Sequence, residues 1–388
     1  MPELWGEAAF RVNPGRIRQI DAARGTAMLF VFVSHFGATF FQRNGATVLD
    51  KLFEGVGMVA TPAFMIISGM MLGYLYHVRQ DDFGKIRDKL RDRALFFLLV
   101  GHLLIALAHI PTVEEAWRAF AQVFITDTIG FCLLLGPFLI ERWNLASRVF
   151  AGTCIYLIGW VLGLLWTPGS PVEEVSKSIL FSSPRGLRGL FHLGAFPLVP
   201  WFGVYLAFTS LGEKIAMYQT EGRTEKTRHL LGTVSSCLVC SALLLAAVPQ
   251  LLTMAGWRPG FATPIWRTWY PFQKFPPGPA YLLLYGGVGL WIIYALFRFP
   301  DRQPWRIYVD YTSLLGQTSF FVFVLQYYVF VLMGCAHLKY DAFWPFYLLG
   351  SIVLISSFAY VWHYKGYNRF LTFRWKTVPS GSPDAGTG

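Results

Sequence analysis

Arg16–Phe41, RIRQIDAARGTAMLFVFVSHFGATFF, is apolar enough to enter a membrane and carries three side chains that a membrane rejects: Asp21, Arg24 and His35. Ionisable groups inside a span are costly, so they face a bundle interior or a hydrated cavity and mark function by default. On a helix turning 100° per residue, Arg24 and His35 stand about 20° past three full turns apart, and Asp21 and His35 about 40° short of four. The three therefore share one stripe, which runs about 16 Å from Arg24 to His35.

The remainder of the chain has the same character. Of 388 residues, 54% are hydrophobic, 17% aromatic and 14% charged, with a mean hydropathy of +0.45. Soluble domains carry roughly 25% charged residues, so the expected fold class is an all-α polytopic membrane protein. Ten apolar segments of about span length follow one another, near 20–42, 56–78, 92–110, 126–141, 148–166, 192–213, 229–255, 278–298, 314–337 and 342–363. The expected organisation is an N-tail over 1–19, one membrane domain over 20–363 and a C-tail over 364–388. Met1–Gly15 is polar and mixed, so the first apolar segment is expected to act as its own insertion signal.

Basic residues test the count. When connections alternate inside and outside, starting inside, the inner set holds 22 lysines and arginines and the outer set 10, with Arg24 left inside the first segment. That asymmetry places both termini in the cytoplasm. It also accounts for the net charge of +11 without nucleic acid, since no soluble basic domain is present to bind one. Cys237 and Cys240 form a C-x-x-C in an apolar run with no second pair. No metal is expected there.

Each polar candidate has two readings. His35 suits proton transfer near neutral pH; alternatively it is hydrogen-bonded within the bundle for packing alone. Arg24 is a fixed cation for a phosphorylated donor, or it snorkels to headgroups beside Asp21. Asp127 orients an imidazole, with His35 the candidate, or caps the fourth segment. His102 and His109, seven apart, share a helix face. Ser68-Gly69 reads as close helix packing, and Gln326 as an interhelical hydrogen bond. The outer stretch Trp257–Pro277, WRPGFATPIWRTWYPFQKFPP, offers flat aromatic faces, or it forms an interfacial belt.

Taken together, these stretches resemble the transmembrane acyltransferases. RQIDAARGTAMLFVFVSHF (18–36) resembles their first-helix signature of an acidic residue, Arg-Gly and an outer histidine. TPAFMIISGMMLGYLY (61–76) resembles the second-helix Phe-x-x-x-Ser-Gly pattern. FPLVPWFGVYLAFTSLG (196–212), QKFPPGPAYLLLYGG (273–287) and LGQTSFFVFVLQYYVF (315–330) are similar to the branch that holds bacterial relatives of heparan-α-glucosaminide N-acetyltransferase. The resemblance implies a bundle of about ten helices in the plasma membrane of a bacterium. It implies an acyl group, acetyl above all, moved from cytoplasmic acyl-CoA to a hydroxyl or amine of a sugar, glycan or glycolipid outside. By motif position His35 is the catalytic imidazole, Arg24 belongs to the donor side with Asp21 holding it, and Lys274 stands beside the outer cavity. The residues themselves add Asp127 as the candidate partner of His35, Arg18 to the donor side, and Trp266 and Trp269 to the acceptor side. The branch often has a histidine where Gln326 stands, so this chain departs from it there.

A proton-coupled transporter is the competing class, and a non-catalytic assembly subunit the third. The first predicts inverted repeats or paired broken spans, which the sequence lacks. The second leaves the polar stripe of the first segment unexplained.

Overall fold

The computed structural model describes residues 17–41, 48–113, 116–181, 196–256, 265, 268–271, 274, 276–299, 303–335 and 343–373. Within them the chain is helical and has no strand. The helices are α1 (Arg18–Phe40), α2 (Val48–Val78), α3 (Phe83–Phe96), α4 (His102–His109), α5 (Ala116–Ala121), α6 (Ile125–Arg142) and α7 (Leu145–Leu165). They continue with α8 (Pro171–Phe181), α9 (Leu198–Thr220), α10 (Thr224–Met254), α11 (Pro279–Arg298), α12 (Trp305–Gln317), α13 (Ser319–Cys335) and α14 (Trp344–Tyr364). A π-helical turn, Phe97–Gly101, joins α3 to α4.

Every one of the ten apolar segments has helix over it. Six helices are long and apolar enough to cross a membrane, and α12 with α13, bent by 82°, makes a seventh candidate. Helices α1 and α9 are not among the six. Their polar residues dilute their hydropathy, and they need less of it because neighbouring helices cover them. Over α1, Ile20, Met28 and Phe36 are almost fully buried; over α9, Trp201, Tyr205 and Ile215 are. The outer helices are the reverse. On α10, Leu243, Leu244 and Leu251 are exposed, and on α14 so are Phe346, Leu349 and Val353. Large apolar side chains turned outward all along such helices fit hydrocarbon rather than water. The protein is an integral membrane protein.

Close backbone crossings hold the centre. A Cβ on Gly25 of α1 would stand 1.8 Å from the Thr312 carbonyl oxygen of α12, and one on Gly316 of α12 would stand 1.9 Å from the Asp21 carbonyl oxygen. Glycines thus face glycine-sized gaps from both sides, as small-residue helix packing requires. The Ser68-Gly69 reading is met likewise: a Cβ on Gly69 would sit 2.2 Å from the Tyr205 carbonyl oxygen of α9.

A buried ion pair ties α7 to α9. Arg148, 1% exposed, donates to the Glu213 carboxylate and, at 3.2 Å, to the Thr209 hydroxyl. Losing one partner of such a buried pair costs about 3–5 kcal/mol. On the α3 side Arg87 meets Glu141 of α6 at 2.5 Å.

Gly25→Ala is expected to lower stability by at least about 1–3 kcal/mol, because the backbone of α12 has to move. Gly55→Ala, where nothing lies within 4 Å of the new Cβ, is expected to be neutral or to gain up to about 1 kcal/mol of helix propensity. Melting midpoints of the two variants in the same detergent check this; equal midpoints would dismiss the crossing as a constraint.

Candidate active site

Helix α1 carries both ends of the site. Near its start Asp21 is buried, 1% exposed, and Arg24 is half-buried. Helix α12 covers this end. Its Asp310 forms an ion pair with Arg18, and its Tyr308 hydroxyl lies 2.8 Å from the Thr26 hydroxyl. Arg18, expected among the donor-side cations, is therefore engaged by a carboxylate from a helix far along the sequence.

The other end of α1 meets α13. The His35 ring lies 5.2 Å from the Tyr327 ring and 6.5 Å from that of Phe330. Phe32, one turn lower, packs on Phe330 at 5.1 Å. Behind Tyr327 stands His109 of α4, with ring centroids 4.7 Å apart. The His109 Nδ1 donates to the Ile105 carbonyl oxygen at 2.9 Å. Lys274 and His109 both lie close enough to His35 to act on it electrostatically. His35, Tyr327 and Lys274 are deeply enclosed by protein atoms yet each keeps accessible surface.

The Nδ1 atom of His35 is buried and has no hydrogen-bond partner among the described residues. Asp127 does not supply one. Its Oδ2 accepts from the Phe124 backbone N–H at 2.8 Å and lies 3.0 Å from Nδ1 of His102. The expected roles of Asp127 thus coexist, as helix-terminal cap and as orienter of an imidazole, but the imidazole is His102 and not His35. The physical reason is reach: His102 directly follows the π-helical turn that packs on α6, whereas α1 has no comparable packing on α6. The Nε2 of His102 lies 3.0 Å from the Phe120 carbonyl oxygen. Both ring nitrogens of His102 thus face oxygen atoms of the protein, which suits a structural role. His102 and His109 do share a face, since both rings pack on Phe124, at 5.6 and 5.1 Å.

Gln326 was expected to bond between helices. It is fully buried, and neither atom of its amide has a partner among the described residues. Between the two ends, a small apolar indentation lies beside α1, lined by Met28, Leu29, Phe32, Val322 and Ile352.

On the acceptor side, Trp266 lies outside the described residues, and Trp269 is half-buried in the turn that precedes Lys274. Burial pushes the Lys274 ammonium down to about 8, and the Glu54 carboxylate pulls it the other way. Three residues escape a reading of the sequence. Tyr327 is one aromatic among many in its helix, while Asp310 and Glu54 look like ordinary surface carboxylates.

The family model described as "Heparan-alpha-glucosaminide N-acetyltransferase, catalytic" matches residues 16–244. No curated protein matches the chain. The matched stretch includes Asp21, Arg24, His35, His102, His109 and Asp127.

Lys274 is expected to be cationic below about pH 8 and neutral above it. In protein whose lysines carry ¹³C-methyl groups, its resonance should titrate with a midpoint near 8, while surface lysines titrate roughly two units higher. A midpoint among the surface lysines would show that the ammonium is solvated rather than enclosed.

Proposed function

The chain belongs to the heparan-α-glucosaminide N-acetyltransferase catalytic family, and we propose that it moves an acetyl group from cytoplasmic acetyl-CoA to a hydroxyl or amine of a sugar, glycan or glycolipid across the membrane. Family membership and the apolar helices together make it an acetyltransferase-type membrane protein. Donor, acceptor, sidedness and residue roles are our reading. The observation that carries it is the state of His35. A histidine kept for packing would be hydrogen-bonded, whereas the buried Nδ1 of His35 has no partner among the described residues.

In this reading α1 is a line between two substrates. The lysines and arginines of the connections put its start, and both chain termini, on the cytoplasmic side. Arg24 would hold CoA phosphate there by charge-assisted hydrogen bonds, with Asp21 behind it and the basic segment Arg79–Arg93 nearby. Lys89 and Arg91 of that segment are exposed. At the far end His35 would take the proton of the acceptor hydroxyl or amine as it attacks the thioester carbonyl. The C–S bond breaks as the new C–O or C–N bond forms, and the proton passes from the imidazolium to the departing CoA sulfur. An acyl-histidine route uses the same imidazole as nucleophile. Lys274 would hold the acceptor, with Trp269 and Trp266 as apolar faces for a sugar ring. No step in this reading calls for a metal.

Purified protein in proteoliposomes, given radiolabelled acetyl-CoA and an aryl α-glucosaminide, is expected to yield labelled glycoside. His35→Ala should abolish transfer without changing the melting midpoint; turnover by this variant would remove His35 from the chemistry. Arg24→Ala should weaken acetyl-CoA binding roughly 10- to 100-fold, the worth of a hydrogen bond to a charged group. An unchanged dissociation constant would return Arg24 to a structural role.

A further inference from the structure

We propose that the Tyr327 hydroxyl is a catalytic hydrogen-bond donor to the carbonyl oxygen of the acyl group in transit. The inference rests on the acetyl-transfer reading above and adds to it the group that meets the developing oxyanion.

Position comes first. The Tyr327 ring flanks His35 at 5.2 Å, tilted by 42°. His109 packs on it at 4.7 Å, and Phe323 stands edge-on at 5.2 Å. Held on three sides, the ring has little freedom, so its hydroxyl is fixed before any substrate arrives. A donor that needs no reorganisation is what stabilises charge building up in a transition state.

Hydrogen bonding comes second. Other tyrosines of the bundle give their hydroxyls to protein partners. Tyr156 bonds the Pro277 carbonyl at 3.0 Å, Tyr281 that of Met58 at 3.1 Å, and Tyr328 that of Leu104 at 2.8 Å. Tyr308 and Tyr311 pair with Thr26 and Ser356 at 2.8 and 2.7 Å. Tyr327, next in sequence to Tyr328, makes only ring contacts among the described residues. Tyr205 also has an orphan hydroxyl, but it is sealed in the core beside Cys132. Tyr327 instead keeps accessible surface, and its ring lies against the half-buried His35. The adjacent Gln326 amide, fully buried with both atoms unpartnered among the described residues, makes this turn of α13 doubly polar without an internal use for it.

The chemistry fits a thioester. When the acceptor attacks, the carbonyl π pair moves onto oxygen, and the Tyr327 O–H donates a hydrogen bond to it while keeping its proton. The tetrahedral adduct collapses, the carbonyl re-forms, and CoA leaves with the acceptor's proton delivered through His35. The same oxygen gains the same charge when His35 itself is the nucleophile, so the role holds for either route.

Tyr327→Phe keeps every ring contact and deletes only the donor. In the proteoliposome assay, kcat should fall roughly 100- to 1,000-fold, the loss seen on removing one oxyanion donor. KM for acetyl-CoA and the melting midpoint should stay at wild-type values. In infrared difference spectra of ¹³C-carbonyl acetyl-CoA bound to His35→Ala protein, the carbonyl band should lie at lower frequency than in the double variant His35→Ala, Tyr327→Phe. Wild-type kcat in Tyr327→Phe, or a raised KM with kcat unchanged, overturns the proposal while leaving acetyl transfer standing. A wild-type protein that transfers no acetyl group to the glucosaminide or to water overturns the transfer reading, and this proposal with it.

Discussion

The contact of α1 with α12, backbone against backbone at Gly25 and Gly316, is what the remaining site geometry depends on. Because no side chain separates the helices there, Thr26 reaches Tyr308 and Arg18 reaches Asp310. The bend of 82° then turns α13 alongside the second half of α1, which brings Tyr327 and Phe330 to His35. A single close crossing thus sets both ends of the polar stripe. In the Arg-Gly pair of the first helix, the glycine is what lets α12 approach.

Much of this was legible in the sequence, and the reason is periodicity. Asp21, Arg24 and His35 lie on one helix, so their common stripe follows from 100° per residue. His102 and His109 share Phe124 for the same reason. The apolar segments announce themselves by length. What composition misjudges is depth: α1 and α9 fall short of membrane hydropathy because they are the most covered helices, not the least embedded. The family resemblance carried by the first two helices is matched by the comparison over 16–244.

The partners across helices were not legible. Asp127 went to His102, Arg18 went to Asp310, and Tyr327 rather than an acid stands beside His35. Each of these depends on how two helices are registered against each other, and nothing in the spacing along either helix encodes that. Gln326 shows the converse. Its polarity at mid-span is plain, yet the bond expected of it is not made among the described residues, so its use has to be sought in a guest rather than in the bundle.

The π-helical turn Phe97–Gly101 has an evolutionary consequence. A π turn accommodates one residue more than the α-helix it interrupts. Deleting a single residue there would let α3 run into α4 as regular helix with the same apolar length. It would also rotate His102 and His109 by about 100° around the axis, away from Phe124 and Tyr327. Relatives that differ by one residue in this turn would keep their hydropathy profile and their fold, and yet present a different wall to whatever enters beside His35.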